Sequence, residues 1–373
     1  MPASPITPIT LEVLRRYAIA RTLFAPTSLS AAIERLGFVQ ADPIRAPARA
    51  QDLTLRHRVK NYRAGDLERR YAALEVEEDF FVNYGFLPRA TQGLMHPRTP
   101  RTTWPKARKA QARQVLAFVQ KRGVVHPREV EMHFAHGRVR NWFGGTSNAS
   151  TQLLDDMHYR GVLRISARAS GVRTYAVAAH LPQVTAKPEQ AMDALVDVIV
   201  HKYAPLPERS LRELIAMLRG GAPQWEGRRA AAFARARTRL PSATVDGIPW
   251  YWPPSESPTA RLYAGVTGRA AEQGDAVRLL APFDPVVWDR RRFEAFWGWA
   301  YRFEAYTPAA KRIRGYYALP LLWRDQVIGW GNLALKDGKL QAALGYVTGK
   351  APRDKAFRMA LDEELGRMED FLQ

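Results

Sequence analysis

Two polar side chains in the stretch "GFVQADPIRAP", residues 37–47, are placed where chemistry is conceivable. Gln40 and Asp42 are separated by one small residue, lie among apolar neighbours and are followed at once by Pro43. A residue before proline is pushed out of the helical region, so residues 38–43 are expected to be extended. Alternate side chains of an extended segment project to the same side, roughly 7 Å apart, which would bring the amide and the carboxylate onto one face. Spacing alone favours a bland role, with Asp42 starting a turn and Gln40 satisfying a backbone group. The chemical alternative is a carboxylate and an amide that hold a water between them.

Other reactive constellations are sparse. The sequence has no cysteine, which excludes disulfides, thiolate metal sites and cysteine nucleophiles. His126, His133 and His136 with Glu129 approach metal-ligand spacing but form no recognised motif, so no metal is expected. There is no phosphate-cradling glycine-rich loop and no Gly-x-Ser-x-Gly elbow. No lysine stands out as a Schiff-base nucleophile. The 10 tryptophans, several of them in "FEAFWGWAYRFEAY", suit packing first and a base-stacking wedge or platform second.

The charge balance narrows the partner. The 373 residues carry 56 Lys+Arg against 36 Asp+Glu, a formal net charge of +20. With 46% apolar and 25% charged residues, the composition is that of a folded globular protein with room for two to four modest domains. A basic surplus spread along the whole chain points to nucleic acid ahead of an anionic membrane, whose binders concentrate charge on one helix or tail. The start "MPASPITPIT" lacks a signal-peptide pattern and no stretch approaches the ~20 apolar residues of a membrane span, so a cytoplasmic, nucleoid-associated, monomeric protein is expected. Beside such a DNA-binding surface, a carboxylate–amide pair suits hydrolysis of an N-glycosidic bond, because negative charge helps an oxocarbenium-like transition state.

The elements that must position the pair follow from periodicity. "TLEVLRRYAIARTLF" carries Leu11, Leu14, Tyr17 and Ala18 at helical spacing, and "PTSLSAAIERLGF" is a second helix with Ser28 or Ser30 as N-cap and Gly37 as its stop. In the middle, "HPREVEMHFA" and "GGTSNASTQLLDDMHYRG" read as two helices, the second capped by Thr146 or Ser147 and ended by Gly161. The strands "VLRIS" and "VRTYAV" follow around "ARASG", giving the winged-helix order, with Arg164, Arg168 and Arg173 on the expected wing as phosphate contacts. A third helical unit runs from about residue 189 to 239 and ends in the wing-like "VDGIPWYWPPSESP". Three strand-like runs then follow, with Asp337 and Gly338 as the strongest hairpin signal, and a closing helix lines Phe357, Leu361, Leu365, Met368 and Leu372 along one face. The small antiparallel sheet or barrel these strands form completes an α+β chain, divided as 1–100, 105–185, 188–255 and 256–373.

"LGFVQADPIRAPARAQDLTLRHRV" resembles the signature region of the YcaQ/AlkZ-type winged-helix DNA glycosylases, which repair alkylated bases and interstrand crosslinks. Gln40-Ala41-Asp42 matches the Gln-x-Asp version of that motif, and "LLAPFDPVVWDRRRFEAFWGWAYRFEAYTPAAKRIRGYYALPLL" looks like the family's C-terminal region. The sequence departs from many members at Gln51 and Asp52, where they carry a histidine pair, in the stretch around Asn83, and at Trp330 and Asn332. The resemblance implies three tandem winged-helix domains forming a concave basic surface, then a small β-barrel and a C-terminal helix, with no metal or cofactor. It implies that Asp42 deprotonates or orients the attacking water and offsets oxocarbenium charge while Gln40 positions that water. Double-stranded DNA carrying N7-alkylated purines or their crosslinks would be the partner, and Arg45, Arg49, Lys311, Arg312 and Arg314 contacts to its backbone. The alternative from a different class is a non-catalytic winged-helix regulator or architectural protein.

Overall fold

The computed structural model describes residues 8–99, 102–140, 145–169, 171–178, 187–260 and 275–373. The starting "MPASPIT", part of the "ARASG" turn and the end of the span 105–185 lie outside them. The chain folds as α+β in two compact units, each assembled from separated stretches. The first comprises residues up to Asp66, Asp197–Glu213 and Phe233–Gln373; the second comprises Leu67–Val196 and Leu214–Ala232.

In the first unit the helix Leu11–Thr22 is capped by the Thr10 hydroxyl, which accepts from Val13 N–H. Leu14, Tyr17 and Ala18 are buried along its inner face, as their spacing demands. The helix Leu29–Leu36 has Ser28 as its N-cap and ends at Gly37, which adopts φ 66° with its α-carbon against Val198. Only glycine satisfies both conditions, and the chain then turns directly into the short strand Val39–Gln40. The helix Ala50–Leu55, buried along its whole length, follows.

A three-stranded antiparallel sheet joins Ser242–Val245, Ile248–Tyr251 and Leu206–Pro207, its hairpin turning at Asp246 and Gly247, both at positive φ. The expected hairpin at Asp337–Gly338 is present with Lys336 opposite Lys339. Its strands Gln326–Lys336 and Lys339–Tyr346 continue through Leu319–Trp323 to Val277–Leu279 in a four-stranded antiparallel meander. Among the described residues this sheet is open, with Val277–Leu279 at one edge and Lys339–Tyr346 at the other: of the expected small antiparallel sheet or barrel, the sheet is present and no closed barrel is found. The helix Lys355–Leu372 packs beside both edge strands. Its buried line is Phe357, Ala360, Glu364, Met368 and Phe371, with Leu361, Leu365 and Leu372 only half-buried. The helix is rotated from the apolar expectation because Glu364 goes inward, pairing with Arg56 and accepting Leu279 N–H at 2.8 Å.

The second unit contains the hairpin Val76–Phe80 with Tyr84–Pro88 and the helices Lys106–Arg122, Pro127–Phe134 and Ala149–Tyr159. The hairpin Leu163–Ala169 with Val172–Val177 follows, carrying Val124–Val125 on its edge. The helix–helix–hairpin order matches the sequence, but the cap of Ala149–Tyr159 is Asn148, which accepts from Ser150 and Thr151 N–H, rather than Thr146 or Ser147. Asp79 sits fully buried between Arg98, His96 and Gln92, and the Arg98 guanidinium holds its carboxyl well below the usual range despite burial.

Candidate active site

Gly37, which stops one helix, and Pro43, which prevents another from starting, leave the intervening residues to cross the first unit as a short extended run. Gln40 and Asp42 on this run are 5% and 8% exposed, deeper than a surface cleft would place them. Each is pinned at one end and unpaired at the other. Trp288 Nε1, which can only donate, bonds Gln40 Oε1 at 3.1 Å and thereby sets which end of the amide is oxygen. Asp42 Oδ1 accepts Ile44 N–H at 2.8 Å, the turn expected on the bland reading. Asp42 Oδ2 and Gln40 Nε2 have no hydrogen-bond partner among the described residues. Burial raises the Asp42 carboxyl above its ordinary value, opposed by the Ile44 N–H. The arrangement offers a basic carboxylate oxygen and an amide donor to whatever enters, which is what holding and activating a water requires.

Buried charges fix the backbone beneath this pair. Arg58 and Asp284 are wholly buried and joined by two hydrogen bonds of 2.8 and 3.0 Å, and Arg58 also donates to the carbonyls of Thr22 and Thr54. The pair connects the segment after Ala50–Leu55 to the "PFD" turn, whose continuation supplies Trp288. Lys202 is buried and its amine donates to the carbonyl of Phe38, two residues before Gln40. Burial, reinforced by the charge of Arg58, lowers that amine to about 7. Gln51 Oε1 accepts Asp42 N–H at 3.2 Å, and Asp52 accepts from Tyr62 Oη and Gly65 N–H at 2.7 and 3.2 Å. A cavity of about 880 Å³ lined by Arg56, Lys60, Arg63, Arg278 and Arg367 includes neither Gln40 nor Asp42.

A family model described as "DNA glycosylase AlkZ-like" matches residues 33–371, nearly the whole chain and both residues of the pair. The chain belongs to this family. With that membership the enzyme expectation, a DNA glycosylase, holds. The fold is also similar to that of the Streptomyces sahachiroi DNA glycosylase AlkZ, with a TM-score of 0.63 over 98% of this chain and 97% of that one, at 14% sequence identity.

The AlkZ-like chain distributes the basic residues singled out in its sequence very differently. Arg45 is exposed and without a partner among the described residues, as is Lys311. Arg49 is half-buried at the start of Ala50–Leu55, where its charge is felt by Asp52. Arg312 donates to the Thr307 carbonyl at 2.8 Å and lies over Tyr316, while the Arg314 guanidinium lies over Trp299 and Trp330. In the second unit the three wing arginines turn onto carboxylates. Arg164 holds Glu77 at 2.7 Å, and Arg168 and Arg173 both meet Glu78, so each is paired with a carboxylate inside the unit.

Three contacts around the pair were not evident from sequence: Gln51 on the Asp42 N–H, Lys202 on the Phe38 carbonyl and Trp288 on Gln40. Lys202 had a usable signal, since it falls one turn after buried Ile199 on the apolar stripe of Pro188–Tyr203. Trp288 stands in the "WDR" run, but no local rule links it to Gln40. Among the described residues no helix is long and apolar enough to cross a membrane, and no group of three or more His, Asp or Glu is arranged to hold a metal.

Proposed function

We propose that this protein hydrolyses the N-glycosidic bond of N7-alkylated purines in double-stranded DNA, including interstrand crosslinks, with Asp42 and Gln40 as its catalytic residues. The observation that carries the reading is that Asp42 has one oxygen fixed by Ile44 and the other without a partner among the described residues, beside a Gln40 whose amide is oriented by Trp288. In the reaction, Asp42 Oδ2 takes a proton from water as its oxygen bonds to C1′, and Gln40 Nε2 positions that water. The C1′–N9 bond breaks with its electron pair going to the purine, which neutralises the positive charge that N7 alkylation had placed there. An already cationic leaving group needs no strong general acid, in keeping with a site that offers one carboxylate. The ionised carboxylate also offsets the oxocarbenium charge at C1′.

Hydrolysis is favoured over amine-based strand cleavage because the lysine with the lowered pKa, Lys202, spends its amine on the Phe38 carbonyl inside the core. Arg45, Lys311 and Arg312 are proposed backbone contacts, with Arg49 and Arg314 supporting the segments that bear them. The helix–helix–hairpin run Pro127–Val177 supports reading that part of the chain as a winged helix, and the division into 1–100, 105–185, 188–255 and 256–373 remains a proposal about tandem units of this kind. The test is release of 7-methylguanine from a duplex carrying one such base, followed by unhooking of a duplex crosslinked through N7 of two guanines. Release of the single base with no action on the crosslink would restrict the proposal to monoadducts; release from neither would overturn it.

A further inference from the structure

The segment Phe303–Tyr316 leaves Tyr306 80% and Ile313 76% exposed, yet it is not loose. The buried Glu304 carboxylate accepts the N–H groups of Ile313, Arg314 and Gly315 at distances from 2.8 to 3.2 Å. Asn332 Nδ2 donates to the Arg314 carbonyl at 2.6 Å. Gly315 adopts φ 116° with its α-carbon against the Asn332 side chain, so the turn tolerates no other residue. Asn332, through the Arg314 carbonyl, and Trp330, beneath the Arg314 guanidinium, are therefore residues that shape this loop. Its exposed rings are held in place rather than left over.

Behind Tyr306 lies a row of aromatic rings. Phe303 meets Tyr306 edge-on with centroids 6.0 Å apart, and meets Tyr317 edge-on at 5.2 Å. Tyr317 is buried, and its hydroxyl has no hydrogen-bond partner among the described residues. A buried hydroxyl without a partner costs free energy and marks a place where a polar group is expected to arrive. That hydroxyl lies where the charge of Asp42 acts on it; burial first and Asp42 second push it well above the ordinary tyrosine range. The row thus begins at an exposed ring and ends at a buried hydroxyl without a partner among the described residues, one that feels the charge of the proposed catalytic carboxylate.

We propose that Tyr306, backed by Phe303, is the stacking face that selects the formally cationic purine, and that the Tyr317 hydroxyl meets the bound nucleoside or its attacking water at the Asp42 end of the row. The inference rests on the glycosylase reading above and adds to it what distinguishes a damaged base from a normal one. Every base has a π-face, so stacking alone would not discriminate. A cation over an aromatic ring gains an additional attraction that a neutral base of the same shape does not.

The test uses the full chain and three duplexes: unmodified, carrying one 7-methylguanine stabilised by 2′-fluorination, and carrying the uncharged 7-deaza-7-methyl isostere with the same sugar. Wild type is expected to bind the cationic duplex about three- to thirty-fold more tightly than the isostere, the range of a partly desolvated cation–π contact. Tyr306→Phe should keep most of that ratio, and Tyr306→Leu should bring it to within about two-fold while binding to unmodified duplex is retained. Equal affinities in wild type, or a Leu variant that weakens all three duplexes alike, would overturn the proposal. Failure of the underlying glycosylase reading would be visible separately, as no release of 7-methylguanine from the unfluorinated duplex.

Discussion

Trp288 donates its indole N–H to Gln40 Oε1 at 3.1 Å, tying the "WDR" run to the Gln-x-Asp motif from the far end of the chain. Because the indole cannot accept, this one bond orients the amide with Nε2 toward the open side. Trp288→Phe keeps an aromatic ring against Tyr203 but frees the amide to rotate. We expect single-turnover base release to fall about ten-fold, with stability lower by about 1 kcal/mol, the typical worth of a lost hydrogen bond. A rate unchanged within two-fold would mean that the orientation of Gln40 is unimportant.

The pH dependence has a defined direction. Asp42 must be ionised to accept a proton, and burial raises its carboxyl above 3.8 against the opposing Ile44 N–H. Base release should therefore rise ten-fold per pH unit below the Asp42 pKa and level off above it, with the midpoint displaced upward from an ordinary aspartate. Single-turnover rates across the acidic range on an unfluorinated 7-methylguanine duplex, with spontaneous release subtracted, measure it. A midpoint at or below 3.8 would contradict the assignment.

Lys202 gives a stability signature on the opposite side of neutrality. Its folded value of about 7 lies below the unfolded value of 10.5, so between them the unfolded chain binds one more proton than the folded one. Stability from this group consequently rises with pH from about 7 toward 10.5, and is lowest below 7, where the charged amine must be buried beside Arg58 with Asp284 opposing. Lys202→Met should remove that rise in the difference between variant and wild type in urea melts from pH 6 to 10. It should also slow base release by loosening Phe38.

Arg58 and Asp284 form a buried pair whose halves cannot stand alone. Replacing one, as in Arg58→Met, strands the other charge and is expected to cost about 3–5 kcal/mol, measured by denaturant unfolding. Arg58→Met combined with Asp284→Leu should recover most of that loss if the penalty is the unpaired charge.

What the sequence disclosed follows the range of the forces involved. Ser28, Gly37, Asp246–Gly247 and Asp337–Gly338 act within four residues of themselves, and the structure uses each as a cap, stop or turn. Asn148 displaced its neighbours as a cap because its carbonyl reaches two N–H groups at once. Long-range pairing was invisible. Glu364 turned inward because Arg56 and the Leu279 N–H were waiting there, which rotated a helix whose apolar pattern pointed elsewhere. The wing arginines met Glu77 and Glu78 from a distant hairpin, which no local reading of "ARASG" contains. The pair Gln40 and Asp42 and the turn at Ile44 were legible locally, whereas the orientation of the Gln40 amide depended on Trp288 from far along the chain.

The most direct test is Asp42→Asn, measured for base release from a duplex carrying one 7-methylguanine and for affinity to that duplex. The substitution keeps the shape and the acceptor for Ile44, and it removes a carboxyl whose charged form burial disfavours. The account predicts at least a hundred-fold loss of single-turnover rate, taking general-base catalysis at about 10² or more, with affinity within about three-fold and a melting temperature equal to or above wild type. Retention of the wild-type rate by a folded, DNA-binding Asp42→Asn protein would contradict it.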